Sequence, residues 1–269
     1  MPLMEHPLEL RGRLFIAFLA VGVATICMWF FFNPVWDFLK QPYCDLPQEH
    51  RFNPNGECTL FVNGIFEGFN IRLKVSFILG VIISSPIWIY QIWSFITPGL
   101  RSREKRWTYT FVGAAVPLFF LGAVLAYFTL DKGLAFFLGV NANDVTALIT
   151  VSSYLGFFLA MLLVFGLSFE FPLLVIVLNM AGLLTYAQLR RWWRGITVGI
   201  FVFAAVVTPS PDPITMSVLA LPMVAMYWVA ALIARVHDKR KAEREAESPY
   251  AGLSDDETSP LDAAYDPSP

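Results

Sequence analysis

The chain has 269 residues, of which 57% are hydrophobic, 16% aromatic and only 15% charged, and its formal net charge is −2. Soluble domains average about 25% charged residues, and one soluble core cannot hide this much apolar surface. The composition therefore predicts an all-α protein that crosses a membrane several times. It also excludes a large soluble catalytic domain.

Six long apolar runs follow one another along the chain, and about 20 apolar residues are enough for a transmembrane helix. The runs are 14–32, 75–96, 109–130, 154–181, 195–207 and 214–234. The fourth would be about 42 Å long as a straight helix, so it must tilt, bend or protrude. The fifth, at about 20 Å, is too short to cross an undisturbed bilayer.

Prolines lie inside four of these runs, at Pro86, Pro117, Pro172 and Pro222. Proline lacks a backbone N–H and clashes with the preceding turn, so it kinks or breaks a helix. We therefore expect all four to bend their helices and to give a concave assembly rather than a straight bundle.

Basic residues are concentrated on one side of the predicted membrane. Fourteen of the 19 Lys and Arg precede the first run, separate the second from the third and the fourth from the fifth, or follow the sixth. Lys and Arg favour cytoplasmic segments, so both termini are predicted to be cytoplasmic. Residues 1–247 are predicted to form the membrane domain, and the acidic residues 248–269 a disordered cytoplasmic tail.

The sequence lacks the residues that phosphate binding and metal binding require. No Gly precedes a Lys anywhere, which excludes a phosphate-binding loop, and the three histidines are isolated on different segments. No Cys-x-x-Cys or His-x-x-x-His pair is present to hold a metal ion. We therefore expect no metal, no cofactor, no ATP-driven activity and no enzymatic site.

Glu170 lies deep in the fourth apolar run, next to Pro172. A carboxylate there costs about 2.5–3.5 kcal/mol on insertion scales, so it should face protein or a water-filled cavity. Two functional interpretations remain open from the residue alone. It is either a working acid, such as the proton carrier of a small-solute transporter, or a static acid that ties helices together in a structural scaffold.

A long outer segment is predicted at 33–74. Within it, Val35, Trp36 and Leu39 have the spacing of a short interfacial helix.

Cys44 and Cys58 share this predicted outer segment, where an oxidising compartment allows disulfides to persist. A bridge closing about 15 residues would stabilise the segment by roughly 3 kcal/mol. The alternative is a pair of free thiols. Cys27, inside the first run, is more typical of a packing residue.

Acidic residues are scarce on the basic face, where Glu104 is flanked by Arg103, Lys105 and Arg106. A carboxylate in such a place is suited to bidentate binding of a guanidinium from a ligand. The alternative is pairing with its own basic neighbours, which would contribute at most about 1 kcal/mol.

Four longer motifs complete the pattern. They are HPLELRGR at 6–13, SPIWIYQIWSFITPGL at 85–100 with Glu104 after it, GLSFEFP at 166–172 and TPSPDP at 208–213. On these motifs the chain resembles the TatC family, the core and signal-peptide receptor of the twin-arginine protein translocase. The resemblance covers about residues 5–234.

This resemblance implies six helices in a cupped, glove-like body, with short fifth and sixth helices. It implies transport of folded proteins across the bacterial cytoplasmic membrane, driven by the proton motive force. The implied partners are the single-span proteins TatA and TatB, twin-arginine signal peptides, membrane lipid and further copies of the chain, with no nucleic acid.

The resemblance also assigns residues to roles. Signal-peptide binding maps to Glu9 and Glu104, with Arg11, Arg13 and Phe95 in the same region. The intramembrane contact with TatA or TatB maps to Glu170 and Thr208, with Thr215 as a further polar residue. Pro42 and Asp212 map to the outer loops.

Overall fold

The computed structural model describes residues 5–44, 60–62, 64–96, 104–139, 149–209 and 212–247. In these ranges the chain is helical, apart from connecting turns and one isolated parallel bridge between Phe61 and Thr150. The helices are α1 (Glu5–Phe30), α2 (Phe32–Cys44), α3 (Glu67–Ile83), α4 (Ser85–Ile96), α5 (Glu104–Gly139), α6 (Val151–Ser168), α7 (Phe171–Met180), α8 (Tyr186–Val207) and α9 (Pro213–Ala246). The predicted tail, 248–269, lies outside the described residues.

Four of these helices or helix pairs are long and apolar enough to span a bilayer. They are Arg11–Phe30, Tyr109–Phe136, Val151–Met180 and Pro213–Arg244, and α3 with α4 forms a fifth candidate bent by 53°. Because three arginines occupy the first half of α8, its apolar part is confined to 195–207. The prediction of an all-α membrane protein is confirmed.

Two prolines mark the places where apolar runs break. Pro86 follows the turn at Ser84 between α3 and α4, and the indole N–H of Trp88 donates to the Val81 carbonyl there at 2.8 Å. Pro172 lies in the first turn of α7, directly after the turn at Phe169 and Glu170. A proline in the first turn of a helix loses no hydrogen bond, so both breaks are stable.

The other two prolines do not break their helices, and the bend expected at each stays a prediction. Pro117 lies inside the continuous helix α5, and Pro222 inside the continuous helix α9. Membrane helices tolerate an interior proline where neighbouring groups satisfy the freed carbonyl. Of these four prolines, only the two that lie in the first turn of a helix coincide with a helix break.

The last two helices are longer than expected. α8 has 22 residues and α9 has 34. The apolar part of α9 continues into a segment rich in Arg, Lys, Glu and Ala, which are strong helix formers, so the helix runs on to Ala246. The expectation of a short sixth helix is therefore wrong, and α8 is short only in its apolar part.

The helices approach most closely at small residues. A Cβ added to Gly122 of α5 would lie 2.5 Å from the Phe165 carbonyl oxygen of α6. At Gly166 of α6 it would meet the Phe119 ring at 2.7 Å, and at Gly80 of α3 the Thr25 hydroxyl at 2.5 Å. Small residues at such crossings allow the van der Waals packing on which helix association in lipid depends.

Asp238 of α9 fixes the turn between α7 and α8. Its carboxylate accepts a hydrogen bond from the Asn179 amide at 2.9 Å and another from the Tyr186 backbone N–H at 2.8 Å. Asn179 also donates to the Leu184 carbonyl at 2.8 Å. The first turn of α8 is therefore held against α9 by a charged acceptor.

We expect replacement of Asp238 by Ala to lower the free energy of unfolding by about 1.5–3 kcal/mol, the usual range for hydrogen bonds to a charged group. Thermal unfolding of the detergent-solubilised protein measures the effect. Glu243→Ala is the control, because Glu243 is exposed and pairs only with Lys239 at 3.6 Å among the contacts described. Equal midpoints for the two variants would contradict the assignment.

Candidate functional site

Three helix ends meet at one end of the bundle. The Arg13 guanidinium of α1 donates a hydrogen bond to the Ser94 hydroxyl of α4. Trp93 of α4 stacks on Phe111 of α5, with ring centroids 5.4 Å apart and an interplanar angle of 11°. We call the region formed by the start of α1, the end of α4 and the start of α5 the rim.

The rim contains the backbone of Glu9 and Glu104, the two acidic residues assigned to signal-peptide binding. Glu9 lies one helical turn before Arg13, and Glu104 begins α5 about two turns before Phe111. Their side chains lie outside the described residues. Phe95 is half-buried at the end of α4, and Arg11 is exposed on α1.

A cavity of about 890 Å³ opens between α4, the α6–α7 pair, α8 and α9. Its walls are almost entirely apolar. They include Ile92 and Trp93 of α4, Leu174 of α7, Phe203 of α8 and Met223 of α9. One turn of helix about 10 Å wide and 5.4 Å long fills roughly 400 Å³, so the cavity has room for about two turns of an apolar helix.

Glu170 is the acidic residue that lines this cavity, as expected for a carboxyl group that must avoid lipid. It lies in the turn between α6 and α7. The indole of Trp93 is the polar group beside it. Neither carboxyl oxygen of Glu170 has a hydrogen-bond partner of good geometry within the described residues. The acid is therefore available to a polar group of an incoming segment.

Trp93 connects the cavity with the rim. Its side chain lines the cavity and stacks on α5, while the next residue, Ser94, holds Arg13 of α1. A ligand with a cationic end and an apolar continuation can therefore contact both regions at once. Neither residue was among the site residues predicted from the sequence, although both lie within the motif at 85–100.

The turn between α8 and α9 is buried. The Thr208 hydroxyl donates to the Ala204 carbonyl at 2.7 Å, and the Asp212 carboxylate accepts from the Thr215 N–H at 2.6 Å and so caps α9. Thr208 is 5% exposed and Thr215 is fully buried, as is Asp212. A Cβ on Gly133 of α5 would lie 2.9 Å from the Thr215 hydroxyl, so this turn packs tightly on α5.

This burial concerns two residues that the resemblance assigned to a partner contact. Thr208 and Thr215 lie inside the protein and do not present their hydroxyls to lipid or to a partner helix. The same turn exposes Pro209 and Ile214 instead. The hydrogen bonds of the Thr208 hydroxyl and of the Thr215 backbone N–H hold this turn in place from within.

The predicted outer elements are partly described. The short helix expected around Val35 and Trp36 is present as α2, and Pro42 is buried in its last turn. Tyr154 of α6 donates to the Leu39 carbonyl at 2.7 Å, which holds α2 against the start of α6. Cys44 is disulfide-bonded and Cys27 is free. The expected partner, Cys58, lies outside the described residues.

Known proteins are similar to this chain in sequence and in architecture. The family model described as Sec-independent protein translocase protein (TatC) matches residues 5–222. The protein of that name from Frankia casuarinae is 53% identical over 266 residues, covering 97% of this chain and 73% of its own length. The corresponding protein from Corynebacterium kroppenstedtii is 41% identical over 283 residues, covering 98% of this chain and 68% of its own.

A solved structure agrees with the fold. The crystal structure of the twin-arginine translocase receptor TatC in DDM superposes with a TM-score of 0.71 at 32% identity, covering 85% of this chain and 99% of the other. These names describe a component of a protein translocase rather than an enzyme. They give no support to the alternative interpretation of Glu170 as the proton carrier of a small-solute transporter.

Proposed function

Since the chain belongs to the TatC family of Sec-independent protein translocases, we propose that it is the core subunit of a twin-arginine translocase. It binds twin-arginine signal peptides and, with TatA and TatB, moves folded proteins across the bacterial cytoplasmic membrane using the proton motive force. The observation that carries this proposal is the continuity between the rim, where the helices of Glu9 and Glu104 both contact α4, and the apolar cavity that contains Glu170.

The proposed topology has six spans and both termini in the cytoplasm. The spans are α1, the bent α3–α4 pair, α5, the α6–α7 pair, α8 and α9. This order puts the start of α1, the end of α4 and the start of α5 on one side, which agrees with their contacts. It also places 14 of the 19 basic residues on that side. The concave, glove-like shape is supported by the cavity between the helices.

Binding begins at the rim in this proposal. Glu9 and Glu104 each accept one guanidinium of the paired arginines, while Arg11, Arg13 and Phe95 form the surrounding surface. A planar guanidinium donates two parallel hydrogen bonds to a carboxylate, whereas lysine offers only a compact point charge. Signals with two lysines are therefore expected to bind less well.

The apolar part of the signal peptide then occupies the cavity, where it buries its side chains against α4, α7 and α8. Glu170 supplies one polar contact in this otherwise apolar site. TatA or TatB approaches the same region, and Thr208 and Thr215 position the α8–α9 turn. Several copies of the chain form the receptor complex.

We expect a photocrosslinker at Phe203 to capture the apolar stretch of a twin-arginine signal peptide, because Phe203 lines the cavity. Val202 is the matched control, since it is the preceding residue of α8 and is exposed on a different face. Crosslinking in membrane vesicles, with and without the signal peptide, measures the difference. Equal yields from the two positions would refute cavity binding without affecting the assignment of the rim.

A further inference from the structure

One face of α8 is cationic at its start and apolar along the rest. Five residues at intervals of four form a continuous ridge on this face, and all five are exposed: Arg190, Arg194, Val198, Val202 and Val206. The opposite face carries the residues that α8 buries against the protein, Leu189, Ile200 and Ala204. The ridge therefore faces the surroundings of the protein rather than its interior.

The arginines at the start of this ridge have no acidic partner among the described residues. Arg190, Arg191 and Arg194 are exposed, and none of them forms an ion pair there. The acids nearby on α9 are already engaged, because Asp238 accepts hydrogen bonds from Asn179 and Tyr186, and Glu243 pairs with Lys239. Within the part of the chain that the structure describes, three neighbouring positive charges therefore remain uncompensated.

Aromatic residues place these charges at the edge of the membrane. The ring centroids of Trp193 and of Trp228 in α9 are 5.8 Å apart. The Arg194 guanidinium carbon lies over the Trp193 ring, 5.5 Å from its centroid. Arg235 of α9 lies over the Tyr186 ring at 5.8 Å at the same end of the helix pair. Tryptophan and tyrosine favour the level of the lipid headgroups, so the arginines lie where phosphates are found.

The apolar part of the ridge gives an acyl chain a continuous apolar surface. Val206 lies about 18 Å beyond Arg194 along the helix axis at 1.5 Å per residue. An undisturbed leaflet is about 15 Å thick, half of a hydrocarbon core of roughly 30 Å, and a leaflet compressed beside α8 is thinner. An acyl chain that starts from a headgroup at the arginines would therefore stay on Val198, Val202 and Val206 over its whole depth.

We propose that this face of α8 binds an anionic phospholipid. The phosphate is held by Arg190, Arg191 and Arg194, and an acyl chain lies along the valine ridge. Guanidinium groups bind phosphate oxygens bidentately, and basic residues at a membrane surface attract anionic lipids. A partner helix would need an acidic side chain at the level of these arginines, whereas an anionic lipid brings the required charge to every copy of the chain.

Native mass spectrometry of the purified full chain, with dioleoylphosphatidylglycerol or dioleoylphosphatidylcholine added, tests this proposal. The chain should bind the anionic lipid preferentially. The triple variant Arg190→Gln, Arg191→Gln, Arg194→Gln should lose about tenfold or more of that preference, since each basic residue near an anionic surface contributes roughly fivefold. The triple Lys variant at the same positions should keep most of it and shows that the positions tolerate substitution.

The matched control removes the same charge elsewhere. Lys239→Gln, Arg240→Gln, Arg244→Gln lies on the exposed end of α9, where Glu243 and Glu247 offset the positive charge, and should therefore retain most of the preference. Glycerol phosphate, which has the phosphate without acyl chains, should compete poorly. An unchanged preference in the α8 variant, an equal loss in the control, or equal competition by glycerol phosphate would overturn the proposal. So would loss of a copurifying single-span protein with lipid binding intact, which would assign the face to that protein.

Discussion

A chain in which Glu9 and Glu104 are both replaced by Gln is expected to retain a folded twin-arginine reporter in the cytoplasm. The neutral amide keeps the size of the side chain but removes the charge that a guanidinium needs. A hydrogen bond to a charged group contributes about 1.5–3 kcal/mol, so each lost contact weakens signal binding by roughly tenfold or more. Export of the reporter in a strain that lacks its own copy of the subunit measures the effect.

The control for this experiment is Glu247→Gln, which removes one negative charge from an exposed position just after α9. It should export the reporter normally. Crosslinking from the rim to the signal peptide separates lost binding from a later defect. If the signal peptide still crosslinks in the single variants of Glu9 and Glu104 and in the double variant, the two carboxylates are not the receptors of the guanidinium groups.

Replacement of Gly122 by Ala is expected to have the largest effect on stability. The new Cβ would lie 2.5 Å from the Phe165 carbonyl oxygen and 2.8 Å from its carbon. These are backbone atoms and cannot rotate away, so α5 and α6 must separate. Overpacking of this kind costs about 1–3 kcal/mol, and we expect the upper end because no side chain can adjust.

Gly113→Ala is the matched control, because Gly113 belongs to the same helix and a Cβ there would meet no atom within 4 Å. Alanine favours helix by about 1 kcal/mol over glycine, so this variant should be as stable as the parent or slightly more stable. Midpoints of thermal unfolding in one detergent compare the two variants. A Gly122→Ala protein as stable as Gly113→Ala would show that the α5–α6 crossing is looser than the structure indicates.

Local patterns in the sequence predicted much of the fold. The apolar runs located the helices, the spacing of Val35, Trp36 and Leu39 predicted α2, and the cost of a carboxylate in lipid placed Glu170 inside the protein. Local patterns did not distinguish the prolines that coincide with helix breaks from those that do not. Whether Pro117 breaks α5 depends on the neighbouring groups that satisfy the freed carbonyl, and no local pattern encodes those groups.

Contacts between distant residues could not be predicted in this way. Arg13 and Ser94 are 81 positions apart, and the hydrogen bonds of Asp238 reach 52 and 59 positions back along the chain. Such pairs follow from how the helices pack, which periodicity does not specify. The assignment of Glu9 and Glu104 came from the family resemblance, since composition left Glu104 open between ligand binding and pairing with its neighbours.

The apolar part of α8, residues 195–207, bears on the bilayer itself. It is about 20 Å long, while an ordinary hydrocarbon core is roughly 30 Å thick. In the proposed topology α8 crosses the bilayer, so lipids beside it must compress to cover it, at a modest free-energy cost for each ångström of mismatch. A polar passenger that crosses next to α8 would then travel a shorter path through hydrocarbon than one that crosses an undisturbed bilayer.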